Sequence, residues 1–197
     1  MTFSQLEPGK HEIGIEATGI YSTSGEGLHR FRDPLDGETY LYTQFEPADA
    51  RRVFPNFEQP DLKAKFSIAI TAPKTWTILS NGCEIHTQPA GDNSQGGACK
   101  RVIFATTKPM STYLTAFIGG PYRKFSDVFD GPDGKIQLGY YCRETLAQYF
   151  DFTDINEVTK QGLATFPKAF GMPYQWGNMI LFLYQNIILV QWRILVV

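Results

Sequence analysis

Apolar and polar positions alternate along much of the first two thirds of this chain. Ile13, Ile15 and Ala17 share one side of residues 11–18, and Glu12, Gly14 and Glu16 the other, the period of a half-buried strand. A Gly- and Ser-rich stretch from Ser22 to Gly27 follows, then a turn at Asp33-Pro34-Leu35-Asp36-Gly37 and a strand from Glu38 to Phe45. Phe66, Ile68 and Ile70 alternate with Lys65, Ser67 and Ala69, which predicts another strand. Further strands are predicted at Thr75–Leu79, Arg101–Thr107, Tyr113–Ile118 and Lys135–Tyr141, with a long hairpin loop from Gln88 to Gly97. One short helix interrupts them: Pro47 suits its first position, Asp49 its first turn, and Arg51 and Arg52 its end.

After residue 134 the period changes. Ile155, Val158, Gly162, Phe166 and Phe170 recur at helical spacing behind Asp154 and Glu157, a capping-box pattern. Gly171 and Pro173 are expected to stop that helix, and Pro167 to kink it. The chain is therefore expected to be mostly β. An antiparallel β-sandwich or saddle over residues 1–134 leads into the first strand and helices of an α/β domain over 135–177.

Composition adds few constraints. In 197 residues, 43% hydrophobic content with 14% aromatics supports a packed core, and a net charge of −2 gives no reason to expect nucleic acid as a partner. The N-terminus carries neither a basic leader nor an apolar run. Cys83, Cys99 and Cys142 have no metal-ligand spacing, and their odd number reads as reduced thiols in a cytoplasmic protein.

The segment YLYTQFEPADARRVFPNFEQPDLKAKF, Tyr40 to Phe66, resembles the signature of the N-terminal domain of the aminopeptidase N family, zinc enzymes that remove single residues from peptide N-termini. GEGLHRFRDPLDGE at 25–38 is similar to the actinobacterial branch, and TTKPMSTYLTAFIGGPY at 106–122, the strand at 135–141 and FGMPYQWG at 170–177 follow in the family's order. Asn56 departs from the family, where many relatives have cysteine, with little expected effect on function. The resemblance implies a thermolysin-like catalytic domain from residue 135 onward, further strands ahead of Gly25, and peptides with a free N-terminus as substrates.

It also implies roles for Glu46 and Gln44. Glu46 would bind the substrate's α-amine and Gln44 would line the first side-chain pocket. A fixed carboxylate recognises a cationic amine by a charge-assisted hydrogen bond, and a strand end is a rigid place from which to present it. Local pattern alone allows Glu46 to cap the helix at Pro47, and the two roles do not exclude each other. Arg51, Arg52, Asp61 and Lys63 read as solvated pairs holding a turn.

The family's chemistry needs zinc held by His-Glu-x-x-His on a helix, with a further glutamate one helix later. His11, His29 and His86 are the only histidines, and no two lie within helical reach. Zinc belongs to the full-length family; none is expected on this chain, which is expected to be inactive alone.

From Asn178 to Val197 the character changes abruptly, with no acidic residue and a single basic one, Arg193. Where the family would continue with a strand and then Gly-Ala-Met-Glu-Asn, this chain reads NMILFLYQNIILVQWRILVV. Gln191-Trp192-Arg193-Ile194 can be written CAA-TGG-AGA-ATC, and the shifted triplets ATG-GAG-AAT encode Met-Glu-Asn. Residues 178–197 are therefore expected to be an out-of-frame tail. A membrane anchor over 179–197 would bury Gln185, Asn186, Gln191 and Arg193 in lipid, at a cost of a few kcal/mol for Arg alone, so no membrane partner is expected. A non-catalytic β module that binds peptides or a protein is the alternative reading.

Overall fold

The structure is a computed structural model and describes residues 7–132, 134–174 and 177–182. Ten strands run in chain order: β1 Gly27–Arg32, β2 Thr39–Gln44, β3 Ala69–Pro73, β4 Thr77–Ser80, β5 Glu84–Asp92, β6 Ala98–Phe104, β7 Phe117–Gly120, β8 Tyr122–Gly131, β9 Gly134–Arg143 and β10 Asn178–Phe182. One α-helix, α1 Phe152–Phe170, lies between β9 and β10. The strands form three sheets, ordered β1-β2-β7-β4, β3-β6-β5 and β10-β9-β8. Every pairing is antiparallel except β10 on β9, which is parallel with α1 in the connection. The mostly β class and antiparallel sheets agree with the sequence reading.

Buried clusters join the sheets to one another and to α1. Tyr40, Tyr42, Leu79 and Ile118 of the first sheet pack with Tyr122, Tyr141 and Phe182 of β8, β9 and β10. Ile136, Leu138 and Tyr140 of β9 pack with Leu163 of α1 and Met179 of β10. A third, smaller cluster joins Ile78 to Val102 and Phe104. The expected division at residue 134 falls at the tip of the β8–β9 hairpin, whose strands pair from Tyr122↔Arg143 to Gly131↔Gly134.

Several expectations need correction. Residues 11–18 form no strand; Ile13 and Ile15 are about half exposed, because no strand among the described residues pairs with them. Alternation supplies a face, but a strand also needs a neighbour's hydrogen bonds. The expected loop at 88–97 is shorter: β5 continues to Asp92, and Asn93 closes the turn by accepting from the Gln95 and Gly97 N–H groups at 3.0 and 2.8 Å. The strand predicted at 65–70 is displaced to 69–73, that at 75–79 to 77–80, and that at 101–107 to 98–104. The strand predicted at 113–118 is divided between a 3-10 turn at Thr112–Leu114 and β7.

In α1 the cap is Asp151, whose carboxylate accepts from the Asp154 N–H at 3.2 Å, so Asp154 is the capped residue rather than the cap. Gly171 ends the helix in the left-handed region at φ 65°, as its position predicted. The face toward the sheet is not the expected one. It carries Ile155, Asn156, Lys160 and Leu163, while Val158, Phe166 and Phe170 are exposed. Polar groups fix this orientation: Tyr140 donates to Asn156 Oδ1 at 2.9 Å, Asn156 to Asp127 at 2.6 Å, and Lys160 pairs with Asp127 at 2.5 Å. The lysine ammonium and those hydrogen bonds hold the Asp127 carboxyl down to about 2.

Gly82 sits where any side chain would strike backbone, since a Cβ there would lie 2.2 Å from the Ala105 carbonyl oxygen. Gly82→Ala must displace the strand entering β5, and a loss of about 1–3 kcal/mol in denaturant unfolding is expected, typical of overpacking.

Candidate functional site

Gln44 is the last residue of β2, and Glu46 stands two residues beyond it. Phe45, 2% exposed, anchors the strand end between the Phe54 and Phe117 rings at 6.1 and 6.2 Å. Alternation then turns Glu46 outward into solvent. The Gln44 amide donates to the Glu46 backbone carbonyl at 3.1 Å. The structure therefore brings the two sequence-predicted residues together at one exposed corner.

The element after them is smaller than predicted. Residues 50–52 make a single 3-10 turn, and Asp49, not Glu46, occupies its N-cap position. Pro47 precedes the turn and follows a cis Glu46–Pro47 bond. Asp49 braces the corner from behind: its N–H donates to the Phe45 carbonyl at 2.7 Å and its carboxylate pairs with Arg52 Nε at 2.7 Å. Arg52 also reaches Glu26, at 3.4 Å.

The four charges read as turn-holding pairs are dispersed. Arg52 pairs with Asp49 and Glu26, the Arg51 N–H donates to the Glu58 carboxylate, and Lys63 donates to Ser111 Oγ at 3.1 Å. Asn56 builds its own turn, with Oδ1 accepting from the Glu58 N–H at 2.7 Å and Nδ2 donating to the Phe54 carbonyl at 2.9 Å.

Sequence reasoning missed the buried polar junction between the first sheet and β9. Asp33, 1% exposed, pairs with the Arg143 guanidinium, accepts from the Thr145 hydroxyl at 2.7 Å and from the Leu35 N–H at 2.9 Å. Burial alone would raise the Asp33 carboxyl, but those hydrogen bonds and the Arg143 charge outweigh it and hold it below its usual range. The Arg143 guanidinium also lies over the Phe31 ring at 4.5 Å. No local motif marks partners 110 residues apart.

Among the described residues no cluster of three or more His, Cys, Asp or Glu side chains is placed to hold a metal ion. His11 bonds to the Glu7 carbonyl, His29 is buried in β1, and His86 lies on the exposed β5. These residues do not fit a zinc site. A cavity of about 470 Å³ opens between the β8–β9 tip and the end of α1, but neither Gln44 nor Glu46 lines it. The three cysteines are free; Cys83 is exposed, whereas burial pushes the Cys142 thiol up to about 11. Iodoacetamide at neutral pH is expected to label Cys83 in the native chain and Cys142 only on unfolding, which mass mapping reads directly.

The architecture defines a class: mostly antiparallel β-sheets carrying one parallel strand–helix–strand unit, β9–α1–β10. Residues 1–114 match the Peptidase M1 N-terminal domain. The chain is 44% identical over 169 residues to the aminopeptidase N of Streptomyces lividans, covering 86% of this chain and 19% of that protein. It is 34% identical over 171 residues to the mitochondrial aminopeptidase 2 of Saccharomyces cerevisiae, covering 85% and 17%. Against the aminopeptidase N of Acetobacter pasteurianus it is 35% identical over 150 residues, covering 71% and 41%. The chain belongs to the M1 aminopeptidase family and spans about a fifth of the length of the first two relatives.

The described part of the tail is structured. Asn178–Phe182 form β10, with Met179 and Phe182 buried, while residues 183–197 lie outside the described residues. No helix among the described residues is long and apolar enough to cross a membrane.

Proposed function

We propose that this chain is the front section of a zinc aminopeptidase and supplies one contact to the substrate's free α-amine, Glu46, with Gln44 beside it. The observation that carries this reading is the outward carboxylate at a strand end fixed by the buried Phe45, in a chain of this family. An exposed carboxylate carried on a backbone that Phe45 fixes suits a cationic amine, which it would meet by a charge-assisted hydrogen bond. The short Gln44–Glu46 link supports the pair as one unit. Zinc, with the attacking water it would activate, belongs to sequence beyond this section, and the chain alone turns nothing over. Its three free thiols accord with a cytoplasmic setting.

Two assays test this. The homogeneous chain, supplied with zinc, is expected to release nothing from an aminoacyl reporter; zinc-dependent release would refute the inactivity. In a chain extended through the shifted frame, Glu46→Gln is expected to raise KM for peptides roughly 10- to 100-fold, the value of one charged hydrogen bond. An unchanged KM would remove Glu46 from substrate recognition.

A further inference from the structure

The Ser22–Gly27 turn is held shut from below by one imidazole. His29, on β1, is 6% exposed and faces the Tyr42 ring of β2 at 4.9 Å. Its Nδ1 accepts the Gly25 N–H at 3.0 Å, which fixes the proton of the neutral ring on Nε2. That Nε2 is buried with no hydrogen-bond partner among the described residues. Above it, the Ser22 N–H donates to the Leu28 carbonyl at 2.9 Å and the Arg30 N–H to the Ser22 carbonyl at 2.8 Å. Glu26 then reaches across to Arg52 at 3.4 Å, bracing the turn of residues 50–52.

We propose that this turn is a proton-released strap, clamped while His29 is neutral and freed when its imidazole takes up a proton. A proton on Nδ1 sets N–H against the Gly25 N–H, so the clamp is lost and a cation is left in a buried site. Among the described residues, the surrounding groups offer that cation no free anion. Tyr42 faces it from β2, Ser22 and Ser24 lie in the strap, Glu26 is engaged by Arg52 of the helical turn, and Arg30 on its own strand lies over Tyr21. Opening would release Glu26 from Arg52 and unbrace the Ala50–Arg52 turn. The inference stands whether or not Glu46 binds an amine.

The sign follows from burial, which pushes His29 below its ordinary value of 6.5. The closed strap binds the proton less well than the open one, so closure is at full strength above that value and weakens as pH falls.

Hydrogen exchange of the Gly25 amide in the full 197-residue chain tests the proposal. Corrected for intrinsic exchange, its protection is expected to fall as pH drops below 6.5, with a slope of at most about tenfold per pH unit. His29→Asn keeps an acceptor near the Nδ1 position but cannot titrate, and its Gly25 protection is expected to be flat. A flat wild-type profile, or the same slope in His29→Asn, overturns the proposal. Should His29→Asn fail to fold, wild-type NMR decides alone. The Gly25 amide shift must then titrate with His29, and an amide that follows His11 or His86 instead, or no histidine, overturns it.

Discussion

Replacing Arg143 with alanine is expected to cost the fold about 3–5 kcal/mol, because it strands the Asp33 carboxylate in a site from which water is excluded. Asp33 directly follows β1 and Arg143 ends β9, so this pair and the Thr145 hydroxyl join the first sheet to the β8–β9 sheet. For a chain of this size the loss corresponds to a fall in melting midpoint of roughly 6–20 °C. The arginine alone is worth less than that figure, since most of it is the penalty of an unpaired buried charge. The double variant Asp33→Leu with Arg143→Met is accordingly expected to recover part of the loss.

The pair also sets a pH limit. Asp33 is held below its usual range in the fold, so its stabilisation is present above the ordinary carboxylate value of 3.8 and disappears as pH falls through the depressed value. Asp33→Asn is expected to flatten acid unfolding in that window. Equal acid slopes for wild type and variant would show that the carboxylate is not coupled to folding.

Tyr140→Ala is expected to be comparably damaging, about 3–5 kcal/mol, by emptying the core between β9 and α1. Tyr140 is fully buried, its ring 5.3 Å from Phe152 and 6.5 Å from Phe150. Its hydroxyl donates to Asn156, the link that turns the polar side of α1 inward. Tyr140→Phe keeps the ring and removes only that bond, so a loss of about 0.5–1.5 kcal/mol is expected. Urea unfolding of the two variants separates the packing from the hydrogen bond. Equal losses would mean that the hydroxyl, not the ring, carries this core.

That inward polar face explains why α1 was misread while its limits were nearly right. Gly171 marks a stop that only its own backbone freedom is needed to explain. The choice of buried face, by contrast, depends on Asp127, which is distant in sequence and receives both Asn156 and Lys160. β2 was legible because Tyr40 and Tyr42 are buried on one side and alternate with partly exposed neighbours. β5 was not, because it is exposed throughout and carries no apolar period. Residues 11–18 show the converse, a strand pattern without a neighbour among the described residues. At the candidate site, the family motif is what singles out Gln44 and Glu46 for the proposed role, and behind them the structure holds an Asp49–Arg52–Glu26 brace. The Asp33–Arg143 junction depends on tertiary pairing alone and left no mark in the pattern.

The most direct measurement of the central claim is the nucleotide sequence through the codons for Gly177 to Val197 and several hundred bases beyond. The account predicts that the shifted frame continues into Gly-Ala-Met-Glu-Asn and then His-Glu-x-x-His, joining this section to a zinc-binding half. Confirmation of the written frame, with neither motif following in any frame, would contradict it and leave a β module whose partner must be sought by binding.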